Sequence, residues 1–344
     1  GSDWWFPEEE PERMRQARDE LLGALADGVR QLPGDPWVVG HLMLYLGEDG
    51  SWADILDWLD PCPPIGDRWC HALRGTALHA SARYVEAETE FETALGAMAQ
   101  EERRRWLDPG EVARGDLREH LDTLAGPEAD DEVARFWRLS DPFLSVEGND
   151  RLTAHLARRV VVELRYGARS AYRIAFKDDL EEIVMRYGWE VGWERRPERG
   201  VATVAADASV VGHQHPYTLP WVAPEIAIFD PAAATVRDWT PQTAPIPRTG
   251  YAPEYAPNTL PDGELHFFPR GRRTVVVAKV SMPVDTSWHA GHGHPPLPVP
   301  DPFESTPATS ALVAADVDGR VVQADVRTHP RLLGVERDEI LEVL

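Results

Sequence analysis

Lysine is nearly absent from this chain: Lys177 and Lys279 are the only two in 344 residues, and arginine supplies the rest of the positive charge. We read this as the coding bias of a GC-rich genome, so an arginine at any one position is weak evidence for guanidinium chemistry. Positive charge is scarce overall. Lysine and arginine total 35 against 58 acidic residues, a formal net charge of −23. So negative a surface repels phosphate backbones, which excludes nucleic acid as an ordinary partner, and anionic membrane surfaces are disfavoured on the same ground. No apolar run approaches the roughly 18 residues of a transmembrane helix, so the chain is not expected to span a membrane. No leader is visible, but Gly1-Ser2 has the look of a tag remnant, so the start of the chain decides nothing about compartment.

Catalytic signatures are missing too. There is no GxSxG, no Walker loop, no GxGxxG opening a helix and no HExxH. Cysteine is limited to Cys62 and Cys70, neither in the sequence context of a nucleophile. The expectation is binding or assembly rather than catalysis, with no cofactor.

What is present is enough for a sizeable core. Hydrophobic residues make up 43%, and roughly 150 residues per domain suggests two domains. Residues 13–32 carry Leu21, Leu22, Leu25 and Val29 at helical spacing, ended by Pro33-Gly34. Asp35 before Pro36 predicts an N-cap, and Ser51 a second one ahead of SWADILDWLD. WCHALRGTALHASARY then VEAETEFETALGAM resembles one tetratricopeptide-repeat (TPR) unit: Gly75 and Ala87 allow close approach, and Tyr84, Phe91 and Ala94 fill the packing positions. The plainer alternative is a generic α-hairpin. Trp37, Trp52, Trp58 and Trp69 are expected to anchor the core, whereas Trp4-Trp5-Phe6 must bury on its own fold or on a partner.

Residues 111–140 read as charged helix, Asp141-Pro142 breaks the chain, and Asn149 caps a helix with Leu152, Leu156, Val160 and Leu164 on one face. Beyond residue 180 the period changes. Ile183, Met185 and Tyr187 alternate as in a half-buried strand; VATVAA and RTVVVAKVSM read as strands, and ALVAADV and RVVQADVR flank the hairpin signal Asp318-Gly319. Residues 285–310 read as a long Pro-, Gly- and His-rich loop, and EILEVL as an element cut short, so the chain is expected to continue past Leu344. The expected fold class is α+β: a TPR-like α-hairpin stack over 1–130, then a helix-plus-β-sheet module over 131–344 with an antiparallel, sandwich-like C-terminal part.

The stretch 135–195 resembles the GWxTD domain of bacterial proteins. The matching pieces are Phe136-Trp137, Asp141-Pro142, Asn149, Arg158, Asp179 and Arg186-Tyr187-Gly188. The name-giving motif survives only in its last residue: Ala175-Phe176-Lys177-Asp178-Asp179 stands in its place. HFFPRGRRTVVVAKV is similar to a recurrent segment of such proteins. The family carries no settled activity. The resemblance implies export, to the periplasm or outside, with the cytoplasm as alternative. From the residues alone, Asp179 opens a strand or pairs with an arginine, and Gly188 permits a turn.

Three further groups could carry chemistry. His213 with His215, and His289, His292 and His294, sit in loop segments where alternate residues share a side, as the zinc or copper site of a metal-dependent enzyme or metal-binding protein requires; solvent-exposed histidines are the plainer alternative. Glu190 and Glu194 beside Trp189 and Trp193 could serve a glycan-binding or glycan-acting site, or simply pair with Arg195 and Arg196. Cys62 and Cys70 bracket a Pro-rich turn. If the flanking helices are antiparallel the two cysteines share one end of the hairpin, within reach of a disulfide; in a reducing compartment they remain two thiols. A protein or peptide is the expected partner.

Overall fold

The computed structural model describes residues 12–113, 115–141, 147–166, 176, 178–189, 192–196, 208–212, 226, 228, 233, 262–270, 273–282, 308–315, 321–329 and 337–343. The chain divides into two compact units, residues 1–141 with 147–253, and residues 142–146 with 254–344. The first unit holds helices α1 (Glu12–Gln31), α2 (Pro36–Glu48), α3 (Trp52–Trp58), α4 (Asp67–Ala80) and α5 (Tyr84–Gly96). It continues with α6 (Gln100–Leu107), α7 (Gly115–Thr123), α8 (Pro127–Ser140), α9 (Asp150–Arg165) and α10 (Asp178–Tyr187), then the antiparallel pair β1 (Gly192–Arg196) and β2 (Ala208–Gly212). None of the described helices is long and apolar enough to cross a membrane.

Local chemistry sets the helix ends. The Asp35 carboxylate accepts from the N–H groups of Trp37 (2.9 Å) and Val38 (3.2 Å), with Pro36 in the first turn. Those N–H groups have no partner within the helix, so the cap is worth about 1 kcal/mol. Ser51 occupies the N-cap position of α3 but makes no side-chain cap; its hydroxyl donates instead to Asp49 Oδ2 at 3.2 Å. Asn149 caps α9 by accepting from Leu152 N at 2.8 Å, while its own amide donates to Trp137 O on α8 at 2.8 Å. In the α4–α5 hairpin a Cβ on Gly75 would lie 2.9 Å from the Phe91 ring, so glycine sets how closely the two helices meet. Ala87 and Ala94 are fully buried beside them. The helical part is compatible with a TPR-like region.

Three hydrophobic clusters form the interior. Leu42, Met43, Leu73, Phe91, Leu156 and Val160 belong to the largest, across α2, α4, α5 and α9. Val112, Leu117, Phe136 and Trp137 make a second, and Val161, Val162, Phe176, Val184 and Met185 a third. Helix α9 contributes to the first and third clusters, and Leu152 packs on the second.

The second unit contains β3 (Asp262–Arg270), β4 (Arg273–Met282), β5 (Ala308–Ala315), β6 (Val321–His329) and β7 (Arg337–Val343). Strands β3, β4 and β7 form one antiparallel sheet in that order, with Leu265 opposite Ala278 and Lys279 opposite Ile340. Strands β5 and β6 form a separate antiparallel pair with an irregularity at Ala314/Ala315.

The expected α+β class with a sandwich-like C-terminal part is overturned. The described residues are mostly helical, the hydrophobic clusters are essentially helix-on-helix, and no sandwich is evident among them. The clearest reversal is 183–187, expected as a strand and found inside α10. Alternation at Ile183, Met185 and Tyr187 coexists there with Leu180, Val184 and Tyr187 at helical spacing; Val184 and Met185 are buried against α9, and tertiary packing decides between the two periods. Trp37 also departs from expectation. At the outer start of α2 it is 62% exposed and stacks on His41 at 4.1 Å, whereas Trp52, Trp58 and Trp69 pack on the core. Trp4-Trp5-Phe6, VATVAA and 285–307 lie outside the described residues.

Two glycines with left-handed backbone test the packing. Gly148 (φ +86°) would place a Cβ 2.7 Å from Val85 N, while Gly50 (φ +78°) has nothing within 4 Å. Alanine at either site should cost about 1–2 kcal/mol in backbone strain, and at Gly148 roughly 1–3 kcal/mol more from the collision. Urea denaturation followed by circular dichroism reads the difference; equal losses would show that the loop does not press on α5.

Candidate functional site

Helix α9 is buried along almost its whole length, polar residues included. Asp150, Arg151, Thr153, His155, Arg158 and Arg159 are all buried. Isolated charges there would be costly, so each needs a partner. Arg158 Nη1 donates to Met185 O and Arg186 O, both at 3.0 Å. Arg159 reaches Glu181 at 2.8 Å and Glu111 at 3.5 Å. Burial pushes the Glu111 carboxyl up, opposed by Arg159. Glu163 accepts from Trp106 Nε1 at 2.8 Å and from Arg68 at 3.0 Å; Arg68 also pairs with Glu102. The Arg151 guanidinium lies 5.7 Å from the centre of the Trp137 ring, which also meets His155 at 4.4 Å and Phe136 at 4.9 Å.

At the start of α9 the carboxyls of Asp141 and Asp150 are hydrogen-bonded, with Glu88 close by. Burial, then the charge of Asp150, pushes Asp141 up to about 9. Asp150 sits in the first turn of α9, where the helix dipole favours its ionised form. The proton of the pair therefore belongs to Asp141. His79 Nδ1 lies 2.9 Å from Thr153 Oγ1, whose hydroxyl hydrogen is directed to Asp150 O at 3.2 Å, so the imidazole donates. Burial, with the Arg158 and Arg151 guanidinia nearby, pushes His79 down to about 3. His155, with Nε2 2.9 Å from Trp106 O, is likewise held well below the usual range by burial and by Arg159.

The GWxTD-like positions take structural places in this network. Asn149 is the N-cap of α9, and Asp141 the C-cap of α8. Gly188, at φ +84°, donates its N–H to Val184 O at 2.8 Å and ends α10, while Arg158 covers the last carbonyls of that helix. Arg186 Nε donates to Glu111 O at 3.0 Å, and Tyr187 is half-buried. Asp179 lies exposed in the first turn of α10 and opens no strand.

Of the other sequence candidates, His213, His215, His289, His292 and His294 lie outside the described residues. Among the described residues no group of three or more His, Cys, Asp or Glu is arranged to hold a metal. Trp189 packs into the core 6.0 Å from Trp52, and Glu190 lies outside the described residues; Trp193 and Glu194 are described only as backbone of β1. Cys62 and Cys70 form a disulfide with Cα atoms 6.0 Å apart, Cys62 exposed and Cys70 buried.

A concavity open to solvent lies elsewhere, between α3, α4 and α5. It encloses about 420 Å³ and is lined by Leu56, Asp57, Asp60, Arg74, Leu78, Arg83, Glu86, Thr89 and Glu90. Arg74 donates to Glu90 at 2.9 Å and to Leu59 O at 3.2 Å; Glu90 also receives His71 at 2.5 Å. Arg83 pairs with Glu86. Sequence reasoning missed this groove. The one available signal was His71 and Arg74 at i and i+3, sharing a face of α4 toward Glu90 on α5. No family model, curated protein or solved structure matches the chain.

Two outcomes follow from the network and the disulfide. The unfolded chain loses the Asp141 proton above about pH 4, the native protein only above about 9, so stability falls as pH rises between those values. Asp141→Asn keeps a neutral donor, and its thermal midpoint should gain on the parent's as pH rises from about 5 to 8; parallel profiles would place the proton elsewhere. Reduction of Cys62–Cys70 releases a loop of sequence separation 8, which the loop-closure relation values at roughly 2–3 kcal/mol. Denaturant midpoints with and without reductant should differ by that amount, with helical signal intact in buffer; collapse of that signal on reduction alone would make the bond essential to the fold.

Proposed function

We propose that the chain is a binding module that seats a peptide segment of a partner protein in the groove of α3, α4 and α5. The observation that carries this reading is the groove itself. Its volume of about 420 Å³ falls within the ~300–1,000 Å³ typical of ligand sites. Leu78 forms a buried floor, Leu56 a partly buried wall, and charged side chains the rim. The walls are joined to one another: Arg74 ties α4 both to Glu90 on α5 and to the end of α3, and the disulfide ties the loop after α3 to Cys70 on α4. Such cross-links lower the entropic cost of ordering the concavity on binding. A TPR-like hairpin, an assembly role and the GWxTD resemblance belong to the same reading. The disulfide favours an oxidising compartment, periplasmic or secreted, because cytosolic thiols are kept reduced.

The test is occupancy of the groove. Thr89 is exposed on its wall, so Thr89→Trp should fill the space without disturbing the core. The parent protein should retain a subset of peptides from an immobilised synthetic array, and the Trp variant, with unchanged circular dichroism, should lose them. Equal retention by both proteins would overturn the assignment.

A further inference from the structure

We infer that the groove selects a basic peptide, placing one arginine or lysine side chain of the bound segment against Asp57 and Asp60. This rests on the peptide-binding reading above and adds the chemistry of the occupant. Six charged side chains line the groove, and four of them are mutually satisfied. Arg74 is held by Glu90 and by a backbone carbonyl, and Arg83 by Glu86. Asp57 and Asp60 remain. Both are exposed, both face the groove from the end of α3, and among the described residues neither side chain makes an ion pair or a hydrogen bond.

These two carboxylates are an uncompensated negative charge at the mouth of a concavity whose floor is Leu78 and whose wall is Leu56. That arrangement suits an amphipathic cation. The aliphatic stem of lysine or arginine lies on the leucines while its charged head stays at the wet rim. Arginine can present parallel N–H groups to carboxylate oxygens, which makes it the stronger fit. The formal charge of −23 acts in the same direction at long range, steering cations inward and anions away. Divalent cations fit less well: calcium takes 6–8 oxygen ligands, whereas this rim offers two free carboxylates. The paired rim also limits what enters. An acidic peptide would face Glu86 and Glu90, whose charges already serve the groove's own arginines.

The experiment compares matched synthetic peptides that differ at one position, occupied by arginine, lysine, citrulline or glutamate. Binding is read by fluorescence anisotropy against the parent, Asp57→Asn, Asp60→Asn and Thr89→Trp. Both aspartates are exposed, so the asparagine variants should fold, and circular dichroism checks this. The expected order is arginine, lysine, citrulline, glutamate. Each asparagine variant should weaken the arginine peptide by about three- to fivefold, as for a partly exposed ion pair, and leave the citrulline peptide unchanged. Added salt should shrink the advantage of the cationic peptides. If citrulline and arginine bind equally to every variant while Thr89→Trp abolishes binding, the basic preference is wrong and the peptide groove stands. If no peptide binds, both fall. Spermidine alone competing as tightly as the arginine peptide would replace the peptide with a polyamine.

Discussion

Helix α9 is the constraint on which the helical unit depends. A helix buried on nearly all sides is normally apolar all round, and this one carries Asp150, Arg151, His155, Arg158 and Arg159 into the interior. Each of those groups is tolerable only where a neighbour compensates it, so each specifies a neighbour's position. Arg158 requires the C-terminal carbonyls of α10; Arg159 requires Glu181 on the same helix and Glu111 ahead of α7. Glu163 and His155 fix α6 through the two polar ends of Trp106, its indole N–H and its carbonyl. Thr153 reaches His79 on α4, and Asn149 reaches α8. Hydrophobic burial supplies the bulk of the stabilisation, but apolar contacts alone allow sliding. The polar contacts remove that freedom, and losing one partner strands a buried charge at a cost of roughly 3–5 kcal/mol.

Protonation is part of the same design. Asp141 stays neutral beside ionised Asp150, and His79 and His155 stay neutral among arginines. The two kinds of group pull stability in opposite directions. The unfolded chain protonates those histidines below about pH 6.5, so stability falls as pH drops through that value; the buried carboxyl has the reverse sign and weakens the fold as pH rises. Together they place an optimum on the mildly acidic to neutral side.

The features legible in the sequence are those decided by neighbours in the chain. Asp35 ahead of Pro36, Asn149 ahead of its apolar stripe, and Gly75 spaced from Phe91 each carry a local rule, and the structure uses each accordingly. Residues 183–187 satisfied both a strand and a helix period, and only the face of α9 beneath them chose the helix. Trp37 read as an anchor because tryptophan usually is one, but its place at the outer end of α2 leaves the ring in solvent. Of the two readings of Asp179, the strand opening gives way to the first turn of α10, whereas Arg158 and Gly188 share a helix end that no local pattern announces. The groove was invisible for the same reason. No sequence pattern distinguishes its charges, and only the packing of α3 beside α4 and α5 separates paired residues from unpaired ones.

That separation connects the fold to the proposed binding role. In the proposed binding role the groove discriminates only if Asp57 and Asp60 are not quenched by Arg74 and Arg83, and a rotation of α3 that paired them would remove the preference. Two devices oppose such a rotation. Arg74 is engaged on both sides, by Glu90 and by the Leu59 carbonyl that ends α3, so those two contacts orient its guanidinium between α5 and the end of α3. The disulfide holds the chain two residues beyond Asp60 to Cys70, one turn of α4 before Arg74. Cys70 is in turn buried in the core cluster to which α9 contributes Leu156 and Val160. The exposed carboxylates thus take their position from α4, through a covalent bond at one point and an arginine shared between Glu90 and the Leu59 carbonyl at the other.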